Sequence, residues 1–297
     1  MPNDAHCHFF STGFFRQLAA QRGRGQGPGE LCTELGWDDP GTPEELADRW
    51  VREMDAHGVG RAAVIASVPG DESSVASAVG RHRSRLVGYF MVNASTEDAA
   101  ARTRAALRDH NLRTVCLFPA MHHVPLDDPR TLAVVQEAAD QGAAVFVHCG
   151  ALSIGVRKKL GLPSPFDLRL GDPLAVARLA ARFTGTPFIV PHFGAGFFRE
   201  ALMAADASPN IHLDTSSSNG WMRYQPGLTL AEVFRATLAV AGPSRILFGT
   251  DSSFFPRGWQ RPLFEQQSAA LDQAGVSAAD RDQILGGNFN RLFGGRS

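Results

Sequence analysis

Asp4-Ala5-His6-Cys7-His8-Phe9 is a short β-prone run that carries two imidazoles at its end. Side chains of a strand alternate between faces, so Asp4, His6 and His8 are expected on one face and Ala5 and Cys7 on the other. Two histidines at i and i+2 can reach one metal ion. An HxH pair alone is more often structural, and its weight depends on what the rest of the chain places beside it.

Seven more apolar, β-prone runs follow: Ala62–Val68, Leu86–Val92, Thr114–Phe118, Ala143–Cys149, Pro187–Pro191, Ile211–Thr215 and Ile246–Thr250. Helical signals lie between them. Thr42-Pro43-Glu44-Glu45 reads as an N-cap, a first-turn proline and first-turn acids. Leu46, Trp50, Val51 and Met54 then recur at helical spacing, and Gly58 ends the element. Asp128-Pro129 and Asp172-Pro173 repeat the cap-then-proline signal, and Ser277–Asp280 resembles a capping box for the last helix. Strands alternating with helices imply parallel βαβ units, and eight of them favour a closed (β/α)8 TIM barrel over an open sheet.

The chain has 297 residues, 44% hydrophobic and 20% charged, with formal net charge −1. That suits one barrel domain over 1–297, since such barrels run to about 250 residues and more. The near-neutral charge favours neither nucleic acid nor an anionic membrane as partner. No apolar run is long enough for a membrane span. The N-terminus lacks the design of a secretory signal, and four scattered cysteines without a CxxC pair suit a cytoplasmic protein. A small-molecule substrate is the expected partner, and a homodimer is compatible with the chain. Residues 22–40 form a Gly-rich insertion, read as a solvent-exposed loop or as a lid.

Three further strands end in metal-compatible side chains: Val145-Phe146-Val147 in His148, Phe188–Pro191 in His192, and Ile246–Thr250 in Asp251. In a barrel the C-terminal strand ends converge on one rim, where catalysis occurs. Chance and packing rarely produce so many coordinated placements, so this rim is the expected active site.

The set DAHCH, VFVHCG, PHFGAG and LFGTDSSF, with the closing ILGGNFNRLF, resembles the amidohydrolase superfamily, most closely its amidohydrolase-related branch of metal-dependent hydrolases and decarboxylases. The resemblance covers nearly the whole chain. It implies that His6, His8, His148 and Asp251 are metal ligands and that His192 contacts the reacting group or its bound water, or is itself a ligand. Binuclear relatives place a carbamylated lysine after the fourth strand; Thr114–Pro119 has none, which argues for one metal ion, with Zn²⁺ the first choice for an N/O donor set.

The expected activity is hydrolysis of an amide, ester or lactone by metal-activated water. Asp251 would move the proton and His192 would stabilise developing charge or shuttle a proton. The alternative is non-oxidative decarboxylation of an aromatic or enol acid. Asp4 is read as a carboxylate that orients a neighbouring ligand or as a cap of local backbone. Arg157 and Lys158, in a basic loop, are candidates for binding a substrate carboxylate. His122 and Trp259 are candidate pocket-lining residues, each with an ordinary surface or packing alternative. Ala151–Gly155 misses the nucleophile-elbow pattern at its first glycine, and Gly23–Gly29 does not spell a nucleotide-binding fingerprint.

Overall fold

Short runs of Val, Ile, Phe and Ala that are apolar on both faces form strands buried on both sides, which is what a helix-wrapped parallel sheet requires. The computed structural model describes residues 1–217 and 219–294; residues 295–297, included in the barrel from sequence, lie outside the described residues. Eight strands occur in chain order: β1 (Asp4–Phe9), β2 (Ala62–Ala66), β3 (Leu86–Val92), β4 (Thr114–Leu117), β5 (Ala144–Val147), β6 (Phe188–Val190), β7 (Ile211–Asp214) and β8 (Ile246–Leu247). Each pairs in parallel with the next. The eighth meets the first through Ala5 N donating to Phe248 O (2.8 Å), Asp251 N to His6 O (2.9 Å) and His8 N to Ser252 O (2.6 Å). Eight parallel strands with helices between them thus form the expected (β/α)8 barrel.

Alternation sorts the strands into two layers. Ile65, Val87, Cys116, Phe146, Ile189 and Leu247 fill the barrel interior. Val64, Phe90, Val115, Val145 and Val190 pack outward with helix residues such as Trp50 and Met54. Phe289 and Phe293 of the last helix close the interior from below. Helix α1 (Thr12–Arg22) and helix α2 (Pro28–Leu35) precede helix α3 (Pro43–His57). The last begins with the expected capping box: Glu45 N donates to Thr42 Oγ1, and Thr42 N donates to the Glu45 carboxylate. Gly58 ends it at φ 65°, a left-handed conformation that costs glycine nothing. Among the described residues no helix is long and apolar enough to cross a membrane.

The first strand departs from strict alternation. Asp4 pairs with Ala62 and Cys7 with Val64, so three steps along β1 match two along β2. This is a β-bulge, which re-aims the side chains beyond it. Ala5 joins the interior packing and Cys7 the helix-side packing. Asp4 does not share the face of His6 and His8 as alternation predicts. Its buried carboxylate faces the helix side, accepting from Trp259 Nε1 (2.7 Å), Thr250 Oγ1 (2.5 Å), Thr250 N (3.1 Å) and His6 N (2.9 Å). It bolts the bulge of β1 to the end of β8.

Asp4→Ala would strand those donors in a buried seam. An unsatisfied buried donor costs about 1–3 kcal/mol, so this variant should lose about 3 kcal/mol or more of stability. Urea unfolding should show the midpoint falling with little change in slope; an unchanged midpoint would mean that Asp4 does not hold the seam.

Candidate active site

The strand ends bring five of the expected residues onto one rim. His6 and His8 lie on β1, at the bulge and just beyond it, His148 and His192 follow β5 and β6, and Asp251 follows β8. His192 and Asp251 hold φ at 56° and 58°. A non-glycine residue there costs on the order of 1–3 kcal/mol, a strain that clusters at functional sites. The same neighbourhood holds Phe193, Ala195, Ser217 and Asn219 at positive φ.

Hydrogen bonds fix which nitrogen each histidine presents. His6 Nδ1 lies 2.8 Å from Asp214 Oδ2, so it carries the proton and leaves Nε2 facing Asp251 Oδ1 at 3.6 Å. Ser67 Oγ donates to Ile65 O (3.0 Å) and so accepts from His8 Nδ1 (2.7 Å). That frees His8 Nε2, 3.0 Å from Asp251 Oδ1. His6, His8 and Asp251 can each offer a ligand atom, all within 4.8 Å of one another. His6, His192 and Asp214 lie equally close to one another, but there the short contact is the His6–Asp214 hydrogen bond itself. The first trio is therefore the better metal site.

Charge follows the same pattern. Burial lowers the pKa of His6, but the charge and hydrogen bond of Asp214, with Asp251, raise it overall. Burial raises that of Asp251, yet the surrounding imidazoles of His8, His6 and His192, in their protonated form, hold it well below the usual carboxylate range. Asp214 is likewise lowered: His6 outweighs its burial. Burial, reinforced by His6, lowers His192, whose Nδ1 lies 2.8 Å from Ser216 Oγ and 3.2 Å from Ser216 O.

His148 sits one step further from the trio than its place in the expected ligand set requires. Its ring is 5.2 Å from that of His192, itself 5.0 Å from His6, and its ligand atoms fall outside both trios. Its Nδ1 is buried with no hydrogen-bond partner, and burial with the adjacent His192 pushes its pKa well down. A neutral, unpaired buried imidazole beside two histidines and a carboxylate fits a cation-binding centre.

Above the cluster lies a cavity of about 1020 Å³ with His8 and Asp251 in its wall. Phe10, Phe14, Trp37, Phe118 and Phe254 supply aromatic surface, and Arg157, Lys159 and Arg257 supply positive charge. His122 lines it too, and burial together with His123 lowers its pKa to about 4. Two expectations fail. Trp259 is buried behind β8, its indole N–H spent on Asp4 and its ring packed against Phe264. Lys158 is absent from the cavity wall; its neighbour Lys159 at the end of the short helix Gly155–Lys159, exposed like Lys158, lines the cavity instead. Sequence reasoning missed Asp214, Ser216, Ser67 and Arg257. For Asp214 the signal was available: Ile211-His212-Leu213-Asp214 alternates apolar and polar, which aims both polar residues into the barrel.

The Amidohydrolase family model matches residues 4–295. A search of curated proteins finds no match. Among solved structures, the chain is similar to 5-carboxyvanillate decarboxylase from Sphingomonas paucimobilis (TM-score 0.67, 16% identity, 98% of each chain covered). It is similar to a dihydroxybenzoic acid decarboxylase from Polaromonas sp. JS666 with bound manganese and the inhibitor 2-nitroresorcinol (0.64, 15%, 100% of this chain and 98% of that one). A probable 2-pyrone-4,6-dicarboxylic acid hydrolase from Acinetobacter baumannii, with citric acid bound, matches at 0.64 and 14% over 99% of each chain. At these identities the structural matches speak to the fold alone. The family model reaches from the first strand to the last helix, and the chain belongs to the amidohydrolase family.

Proposed function

We propose that this chain catalyses metal-dependent, non-oxidative decarboxylation of an aromatic carboxylic acid. The observation that carries this reading is the aromatic-walled, positively charged cavity opening onto His8 and Asp251. A flat ring can stack on such walls, and an anionic group is drawn toward the cations. The similarity to decarboxylases of carboxylated and hydroxylated benzoates supports the same choice over hydrolysis.

His6, His8 and Asp251 would hold a divalent ion, with His148 the nearest further imidazole. The imidazole and carboxylate donors suit zinc and manganese alike. When bound, the ion supplies Lewis-acid stabilisation to the oxygens of the substrate. Asp214 and Ser67 orient the two imidazoles from behind. Asp251 is the one acidic residue in the cavity wall among the described residues, and its depressed pKa makes it a carboxylate at neutral pH. It can take the proton of a ring hydroxyl ortho to the carboxylate and return it to the ring carbon as the carbon–carboxylate bond breaks. CO₂ leaves, a C–H bond forms in its place, and the phenolate is reprotonated from solvent.

Hydrolysis of a lactone or amide is the second reading. The same ionised Asp251 could serve as a general base toward water, and the similarity to the pyrone hydrolase favours keeping it. The two separate cleanly. Metal-loaded protein given ortho-hydroxylated benzoates should release one CO₂ per product. In D₂O it should place deuterium on the ring carbon, and Asp251→Asn should slow this by about 10²–10⁴-fold. Solvent oxygen appearing in a product that keeps every carboxylate would overturn decarboxylation in favour of hydrolysis.

The metal assignment has its own measurement. Asp214→Asn should weaken metal binding about 10–100-fold in a chelator competition, because it loosens the grip on His6 Nδ1. Unaltered affinity in Asp214→Asn together with His6→Ala would remove His6 from the ligand set.

A further inference from the structure

The cavity's charges are unequal. Asp251 is the only carboxylate in its wall among the described residues, against Arg102, Arg157, Lys159 and Arg257. Arg102 is paired with Glu72 at 2.5 Å. Arg257 belongs to the reacting end: its Nη2 donates to Ser253 Oγ (2.7 Å) and lies 3.4 Å from Asp251 O. Arg157 has spent both terminal nitrogens, on Gln21 Oε1 (2.5 Å) and Pro163 O (2.6 Å), and its Nε is buried without a partner. It contributes charge and fixes the loop that bears Lys159. Lys159 alone keeps its donors free: no acceptor engages its Nζ among the described residues, and the nearest aromatic ring is Trp37, 5.5 Å away.

Lys159 also stands apart from the metal cluster. The way from His8 to it runs past two aromatic rings, Phe10 at 5.7 Å from His8 and Trp37 at 6.1 Å from Phe10. Lys159 is solvent-exposed at the cavity's edge, and a monoanionic ring acid bound with its carboxylate at His8 and Asp251 would leave its ammonium only water and the Trp37 face as partners. We propose that the substrate is an aromatic dicarboxylate, and that Lys159 recognises the carboxylate that is kept. This rests on the decarboxylase reading for which carboxylate is lost, but the second anion site stands on the cavity's own geometry. Lys159 is then a specificity residue: it takes no part in bond breaking and selects substrates by charge.

The sequence makes the test unusually clean, since Lys158 and Lys159 are its only lysines. Isophthalate and benzoate serve as probes of the full-length, metal-loaded protein by calorimetry. Isophthalate should bind about tenfold more tightly or better, as expected for one added charge-assisted hydrogen bond. Lys159→Met should abolish that preference while leaving benzoate affinity unchanged, Lys159→Arg should restore most of it, and Lys158→Met should change neither. After reductive methylation with ¹³C-formaldehyde, the side-chain resonance missing in Lys159→Arg should shift with isophthalate and stay put with benzoate. Equal affinity for both probes, or equal loss of both in Lys159→Met, would overturn the proposal. Release of CO₂ without the dicarboxylate preference sinks this proposal alone. The preference without any CO₂ release sinks the decarboxylase reading and leaves the second anion site in place.

Discussion

The seam between the first and last strands is where the barrel closes, and it also gathers residues of the candidate site. Asp251 N donates to His6 O, and His8 N donates to Ser252 O, so the hydrogen bonds that join β1 to the chain beyond β8 come from the candidate ligands or their neighbours. Closure of the barrel and the gathering of the candidate ligands are the same event. A barrel that failed to close would have His6 and Asp251 on separate edges. One that closed in another register would aim them at different layers, because a one-residue slip exchanges the faces of a strand. The four donors gathered by Asp4 hold that register from the helix side. They also explain why a buried acid stays at a position where burial raises its pKa.

A second layer of groups decides what the rim can do once it is assembled. Asp214 and Ser67 each claim an Nδ1, and this turns two nominally ambiguous imidazoles into donors of a free Nε2 on the same side. Ser216 continues the network by lying between His6 and His192, 2.9 and 2.8 Å from their Nδ1 atoms. The left-handed residues after β6, β7 and β8 belong to the same design. A strand that simply ran on would carry its terminal side chain past the rim; a reversal of the backbone there turns it back over the barrel mouth.

The sequence revealed the parts of this that depend on periodicity and on strand ends. The eight apolar runs, the capping box at Thr42 and the histidines and aspartate that terminate strands all follow from local pattern, and β1 and β3 carry the bounds that pattern predicts. What stayed hidden depends on three-dimensional context. The bulge in β1 has no local signature, so Asp4 was assigned to the wrong face. Lys158 and Lys159 differ by one helical step of about 100°, and no composition argument says which of them faces a cavity. Trp259 reads as wall or as core with equal ease until its indole N–H is seen to be needed by Asp4.

The Gly-rich insertion illustrates how the same physics gives a loop a function. Read from composition it is either an exposed excursion or a lid. In the structure it contains α2, whose Leu31 and Cys32 are buried together with Phe14, Phe15, Val156 and Leu160. It is therefore packed against α1 and the loop after β5. Its Trp37 stacks on Phe254 at 3.8 Å and on Phe10 at 6.1 Å. Phe254 lies three residues beyond Asp251, and Phe10 two beyond His8. The cavity wall is thus fastened to both chain segments that carry His8 and Asp251, and the guanidinium of Arg257 caps the stack 4.5 Å over Phe254. An insertion joined to the site this way cannot open without disturbing the residues next to His8 and Asp251. Filling the cavity with a flat ring would in turn be felt along the stack at the reacting end. The insertion is best understood as a fixed wall that sets the shape of the site, with its glycines, apart from Gly29 in the first turn of α2, in the turns that flank that helix.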